Sequence, residues 1–228
     1  MEILIVAATT MEIKLIVDEL EKVEEESHFV KSYRLAGLNI DILISGIGSS
    51  FTTFHLTNAL REKKYDRVIN IGLAGSLIQE LKIGEVVNVV SEEFADLGIE
   101  KQHEFLTLFE SGYIGVNDFP FQNGLLKASD SADWINLKKV KGVTTNKSFG
   151  RDTSIAEMRE KFTAHVESME GAAVFYVCNW MGVSCYQIRS ISNYVEPRDS
   201  AKWNIPLALV NLKEALIGIL KFIQVPVS

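Results

Sequence analysis

The feature that most constrains this chain is an alternation. Short, nearly uninterrupted apolar runs of β type are followed by segments whose apolar residues return at helical spacing. Glu2 to Ala8 (EILIVAA) is such a run, and from Met11 the residues Ile13, Leu15, Ile16 and Leu20 fall at helical spacing. That reads as a buried strand feeding a helix. Phe29 to Leu35 and Asn39 to Ser45 flank Ala36-Gly37-Leu38 as a hairpin, and Ser49 to Lys63 reads as a second helix. Strands follow at Arg67–Ile71 and Glu85–Val90, with turns assigned to Gly72, Gly75 and Gly84. After an irregular, aromatic and polar excursion from about Glu92 to Leu137, order returns. A strand is expected at Val140–Thr145, a helix from Asp152 to Phe162, a short strand at Ala164–Glu167 and an apolar helix from Glu170 to Met181. A further strand, Ser184–Ile191, precedes an amphipathic helix from Pro206 to Phe222. The expected fold is α/β, a mixed central sheet with helices on both faces. With 228 residues, no repeat and no linker, one domain is expected over residues 1–228.

Composition narrows the function classes. Hydrophobic residues make up 47% and charged residues 23%, which supplies a core and argues against disorder. The formal net charge of −7 disfavours nucleic acid and anionic membrane surfaces as partners, because both draw on a basic face. No apolar run approaches the roughly 18–20 residues that span a bilayer, and no basic segment precedes the first apolar run, so a cytoplasmic location is expected. Cys178 and Cys185 lie in apolar surroundings outside any CxxC pair and read as buried thiols.

Several motif searches fail. The chain has no GxxxxGK[ST], no HExxH and no GxSxG, and its histidines (His28, His55, His103, His165) lack ligand spacing. Gly46-Ile47-Gly48 follows a strand, but Phe51 stands where the third glycine of a dinucleotide fingerprint belongs. Neither a metal nor an organic cofactor is expected.

What remains is a set of polar residues at the carboxyl ends of strands, where open α/β sheets bind ligands. Glu12 follows the first strand, although Thr9-x-x-Glu12 is also a capping box and spacing alone favours the cap. In Glu167-Ser168-Met169-Glu170-Gly171, Ser168 suits an N-cap and Glu170 suits the helix dipole without any function. Arg189-Ser190-Ile191-Ser192-Asn193 leaves the last strand, with Asn193 suited to an Asx turn, and a polar loop carrying Glu196, Arg198, Asp199 and Trp203 follows.

In combination and in this order these segments carry a resemblance. With Ser45-Gly46-Ile47-Gly48, Asn70-Ile71-Gly72-Leu73-Ala74-Gly75-Ser76 and Leu81-Lys82-Ile83-Gly84-Glu85-Val86-Val87, the chain resembles the purine nucleoside phosphorylase and nucleosidase superfamily essentially end to end. Phe119-Pro120-Phe121-Gln122-Asn123-Gly124, Gly142-Val143-Thr144-Thr145-Asn146 and Asn193-Tyr194-Val195-Glu196-Pro197-Arg198 make it most similar to the futalosine hydrolases, nucleosidases of a menaquinone biosynthetic route. It departs from the methylthioadenosine nucleosidases in Gly72-Leu73-Ala74-Gly75, where they carry Gly-Ser-Ala-Gly, and in Asn193, where they carry the aspartate that protonates adenine N7.

The resemblance implies a hydrolase that releases hypoxanthine and dehypoxanthine futalosine from futalosine. Glu12 would be the base that takes a proton from water. Glu170 would chelate the ribose 2′ and 3′ hydroxyls, Met169 would pack on the sugar, Arg189 would orient water and carboxylates, and Asn193 would read the base. Asparagine suits a 6-oxopurine, since its NH2 can donate to O6 while its carbonyl accepts from a protonated N7. Adenine-type nucleosidase, phosphorylase and non-catalytic nucleoside-binding readings stay open at this point. A homodimer or higher homo-oligomer is implied by the same likeness, with the aromatic excursion as the interface. Lys147, Arg198 and Lys202, which flank the site segments, are the nearest cations for a substrate carboxylate.

Overall fold

The computed structural model describes residues 1–23, 29–102, 104–129, 134–197 and 199–224. In chain order the elements are β1 (Glu2–Ala7), α1 (Thr10–Val17), β2 (Glu21–Lys22), β3 (Val30–Leu35), β4 (Leu38–Ile44), α2 (Ser49–Glu62), β5 (Arg67–Ser76) and β6 (Val86–Phe94). Then come β7 (Gly98–Glu100), β8 (Phe105–Thr107), β9 (Leu126–Lys127), β10 (Lys138–Thr144), α3 (Asp152–Lys161), β11 (Val166–Ser168), α4 (Gly171–Met181), β12 (Ser184–Tyr194) and α5 (Ile205–Gln224).

The alternation of side chains along β1 sets the layers, because successive residues of a strand point to opposite faces. Ile3 and Ile5, with Ile69, Ile71 and Ile188, pack against Ile13 and Ile16 of α1 and Leu212, Leu216 and Leu220 of α5. Leu4 and Val6, with Leu43, Val68 and Cys185, pack on the other face against Leu56 and Leu60 of α2 and Val174, Phe175 and Cys178 of α4. Truncating any of these fully buried side chains to alanine should cost about 2–5 kcal/mol. Both cysteines are buried free thiols, and burial pushes the Cys178 thiol up, reinforced by its hydrogen bond with Cys185. No described helix is long and apolar enough to cross a membrane.

Among the described residues the main sheet has ten strands and runs β11-β10-β6-β12-β5-β1-β4-β3-β2, with β9 beside β6. β1 is parallel to β4 and β5, and β12 is parallel to β5 but antiparallel to β6. Because β11 also pairs with β5, strands β5, β12, β6, β10 and β11 close into a ring. A closed ring brings residues distant in sequence to one rim.

Three expectations need correction. Gly72 and Gly75 are not turns. They lie inside β5, which runs ten residues to Ser76 because β12 pairs with it along its whole length. Asn193 is likewise within β12 and not in an Asx turn beyond it; the register shifts between Ile191 and Asn193, and the strand continues to Tyr194. The cap of α4 is Glu170, not Ser168, since Ser168 ends β11. The excursion after β6 is also more ordered than expected. β6 itself continues to Phe94, and β7 and β8 form a separate two-stranded sheet. His28, His103 and Arg198 lie outside the described residues.

Candidate active site

Glu12 satisfies both of its sequence readings. The Thr9 backbone N–H donates to its Oε2 at 3.0 Å, closing the capping box at the start of α1. Its other oxygen, Oε1, accepts from the Leu73 N–H of β5 at 3.0 Å, so the carboxyl is held over the rim of the ring. Gly72 explains how it fits there. A Cβ at that position would stand 2.6 Å from Glu12 Oε1 and would overlap Arg189 Nη1, so only glycine lets the two side chains converge over β5. The glycine that resembles a turn signal is a packing requirement of the site.

Arg189, on β12 opposite Gly72, is completely buried. Its Nη2 donates to Asn70 Oδ1 at 2.6 Å, and Asn70 is itself anchored by donating from Nδ2 to the Val6 carbonyl. Nη2 also lies 3.9 Å from Glu170 Oε2. Arg189 Nε is buried with no partner among the described residues. Glu170, at the N-cap of α4, accepts from the Gly48 N–H at 3.0 Å through Oε1. Burial raises its carboxyl above the ordinary range; Arg189 and the Gly48 N–H oppose that, and Glu12 adds to it. Met169 is half-buried at the junction of β11 and α4, beside Glu170. The structure thus brings Glu12, Glu170 and Arg189 into one cluster.

Asn193 stands apart from that cluster. It pairs with Gly75, three residues beyond Gly72 on β5, which at roughly 3.3 Å per residue is about 10 Å farther along the strand. At that odd spacing the Cβ positions of Gly72 and Gly75 point to opposite faces of β5, the first towards Arg189 and Glu12, the second towards Asn193 and Val195. The Asn193 amide is oriented from both sides: Ser192 Oγ donates to Oδ1 at 2.8 Å, and Nδ2 donates to the Tyr194 carbonyl at 3.0 Å. Flipping it would set acceptor against acceptor at Tyr194. Asn193 lines a narrow crevice of about 10 Å³ with Ser148, Phe149, Val195, Glu196 and Trp203. A cavity of about 570 Å³ lies between α1 and β3–β4, and Glu12 does not line it.

Two further carboxyls escape sequence reasoning because a glutamate within a strand carries no spacing signal of its own. Glu92 of β6 is fully buried; it accepts from Gln187 Nε2 at 2.8 Å and from Thr144 Oγ1 at 3.0 Å. Thr144 Oγ1 in turn accepts from the Ala172 N–H at 2.8 Å, so Glu92 braces the first turn of α4 and with it Glu170. Burial pushes Glu92 up to about 7, against the pull of Gln187, Arg189 and Thr144. Glu167 of β11 is buried and also pushed up to about 7, mainly by burial. Asn146 is a third omission. Its Oδ1 accepts from the Ser49 N–H at 3.0 Å, tying the loop after β10 to the start of α2 near Gly48.

Of the candidate cations, Lys202 is engaged with Glu196 at 2.9 Å and the Lys147 ammonium lies 5.5 Å over the Phe149 ring. Among the described residues no group of three or more His, Cys, Asp or Glu could hold a metal ion.

Comparison with known proteins identifies the family. The phosphorylase superfamily profile matches residues 2–221. A futalosine hydrolase from Streptomyces coelicolor is 32% identical over 182 residues, covering 77% of this chain and 76% of the relative. A 5'-methylthioadenosine/S-adenosylhomocysteine nucleosidase from Bacillus thuringiensis is 30% identical over 206 residues, covering 85% and 86%. In fold, the chain is similar to the Streptococcus pneumoniae nucleosidase of that name (TM-score 0.83, 18% identity, 98% of this chain and 100% of the other). It is also similar in fold to the futalosine hydrolase of Helicobacter pylori (TM-score 0.80, 20% identity, 96% and 97%). The chain therefore belongs to the phosphorylase superfamily, and within it to the nucleosidases, hydrolases of N-glycosyl bonds.

Proposed function

We propose that this chain hydrolyses futalosine, with water as co-substrate, to hypoxanthine and dehypoxanthine futalosine. The observation that carries the choice of base is Asn193. Its oriented amide keeps one N–H free for O6 of a 6-oxopurine, while Oδ1 retains a lone pair for a protonated N7. A carboxylate there would serve adenine N7 instead.

In this reading Glu12 takes a proton from the attacking water. Its Oε1 is steadied by the Leu73 N–H, and Arg189 beside it offers a donor to the same water. Glu170 binds the ribose hydroxyls through whichever lone pairs Gly48 leaves free, and Met169 packs on the sugar. As the glycosidic bond breaks, the sugar gains oxocarbenium character. Glu12 and Glu170 outnumber Arg189 around it, and that negative excess stabilises the developing cation. The same excess repels phosphate, which favours hydrolysis over phosphorolysis. The leaving hypoxanthine is held by Asn193 and takes up a proton at nitrogen. The reaction needs no metal and no organic cofactor. The protein works in the cytoplasm as one domain and pairs with a second copy of itself. Ile47, Phe51 and Phe54 beside and along α2, and Phe119 stacked edge-on to Trp180, are the exposed apolar groups a partner would cover.

The 30% likeness to methylthioadenosine/S-adenosylhomocysteine nucleosidases keeps an adenine nucleoside as the second reading. Asn193→Asp separates the two. If Asn193 reads a 6-oxopurine, kcat/KM for futalosine relative to its 6-amino counterpart should fall by at least tenfold in the variant, on the order of what one specific polar contact discriminates. An unchanged ratio would show that Asn193 does not read the base.

A further inference from the structure

The register of the ring places Glu167, Gly75 and Asn193 in one row. Glu167 pairs with Gly75 from β11, and Asn193 pairs with Gly75 from β12. Residues directly opposite one another point to the same face of a sheet, so the two polar side chains flank a position with no side chain at all. A Cβ on Gly75 would approach Asn193 Nδ2 at 3.3 Å and Val195 Cγ2 at 2.7 Å, which puts Asn193 and Val195 on that face. The Ser148 hydroxyl and the Phe149 N–H face Glu167, and both residues line the crevice that contains Asn193. Ser148 and Phe149 lie against the Glu167 end of this row and Val195 against its Gly75 position.

Glu167 is more than nine-tenths buried, and its Oε2 has no hydrogen-bond partner among the described residues. An unpartnered buried acceptor costs about 1–3 kcal/mol or more, and neither folding nor the Glu12–Arg189–Glu170 cluster uses this one. It calls for a donor supplied from outside the chain. A 6-oxopurine has one that a 6-aminopurine lacks: the N1–H, adjacent to the O6 assigned to Asn193.

We propose that Glu167 is a specificity-determining residue that accepts the N1–H of a 6-oxopurine while Asn193 donates to O6. The inference rests on the 6-oxopurine reading given above and extends it to a second contact. A carboxylate suits only this protonation pattern, because adenine N1 is itself an acceptor. Protonated Glu167 would reverse the preference by donating to adenine N1. Its titration near neutral pH therefore makes base choice depend on pH. The charged group acting on Glu167 is Asp96, beyond β6, which raises it further; Arg159 of α3 donates to the Val195 carbonyl. Glu92 and Glu170 lie at the sugar end, so their titration affects both substrates and cancels in a ratio.

The test compares futalosine with its 6-amino counterpart in the wild type, Glu167→Gln and Ser148→Ala across pH 6 to 8. In the wild type the ratio of kcat/KM, 6-oxo over 6-amino, should rise by about tenfold over this range as Glu167 ionises. In Glu167→Gln, an amide oxygen kept by the Ser148–Phe149 loop leaves an NH2 towards the base. The ratio at pH 8 should then fall by at least tenfold and lose its pH dependence. Ser148→Ala removes a hydroxyl that hydrogen-bonds Glu167 and holds its carboxyl down, so the rise of the ratio should move to higher pH. A wild type that favours futalosine at every pH with a flat ratio, or a Glu167→Gln variant that loses both activities equally, would overturn the role of Glu167 and leave the futalosine reading in place. A wild type that favours the 6-amino substrate throughout would remove both.

Discussion

Replacing Glu12 by glutamine keeps the size of the side chain and removes its basicity, and the structure allows the two consequences to be worked out separately. Glu12 accepts on both oxygens, from Leu73 N–H through Oε1 and from Thr9 through Oε2. Glutamine has one acceptor and one donor, so one of those N–H groups must face an NH2. Leaving one such group unmatched costs about 1–3 kcal/mol, close to the loss of a helix cap at about 0.5–2 kcal/mol. In a chain of this length that lowers Tm by a few degrees, at roughly 2–4 °C per kcal/mol. The chemical consequence is larger. Removing a positioned general base costs about 10²–10⁴ in kcat, or roughly 3–5 kcal/mol of barrier at about 1.4 kcal/mol per decade. KM should change little, because the ribose contacts lie on Glu170. The assay is hypoxanthine release under saturating futalosine, beside a thermal melt of the same preparation. A melt lowered by a few degrees with kcat within threefold of wild type would show that Glu12 is only the cap of α1.

Glu170→Gln should damage both KM and kcat, because the group both positions the sugar and stabilises its charge; steady-state kinetics with both parameters unchanged would remove it from the site. Gly72→Ala should lower kcat/KM by at least tenfold, since the new methyl must displace Glu12 Oε1 or Arg189 Nη1; wild-type kinetics would contradict the convergence of those groups over β5. Stability should fall as pH rises from about 5 to 7.5. Glu92 and Glu167 release their protons near 7 when folded but near 4.5 when unfolded, so the folded state holds more protons in this window. The loss is on the order of a few kcal/mol, and Glu92→Gln should flatten the pH dependence of urea midpoints; an unaltered slope would place the titration elsewhere.

The parts of this molecule legible in its sequence are those where one physical rule acts alone. β1, the β3–β4 hairpin and α2 could be read directly, because a strand covered on both faces is apolar throughout and a surface helix keeps its period. Glu12, Glu170 and Arg189 were identifiable as strand-end polar residues, although only the register of β5 and β12 shows that they converge. Where two rules compete, the sequence misleads. Gly72 and Gly75 carry the composition of turns, yet they are glycine because Glu12, Arg189, Val195 and Asn193 need the space above β5. The end of β12 is polar because it lines the rim of the ring. Glu92 and Glu167 were illegible for another reason: a glutamate within a strand acquires meaning only from its neighbours. Those neighbours, Gln187 and Thr144 for one and Ser148 and Gly75 for the other, come from distant segments that closure of the ring brings together.

The measurement that bears most directly on the central claim is a competition in phosphate-free buffer. Equimolar futalosine and 5′-methylthioadenosine are incubated with the purified protein, and the released bases are separated by chromatography. The account predicts hypoxanthine as the dominant product, formed at a rate that added phosphate does not increase. Adenine as the dominant product would contradict the assignment of Asn193 and Glu167 to a 6-oxopurine, and a strict requirement for phosphate would contradict Glu12 as the base that activates water.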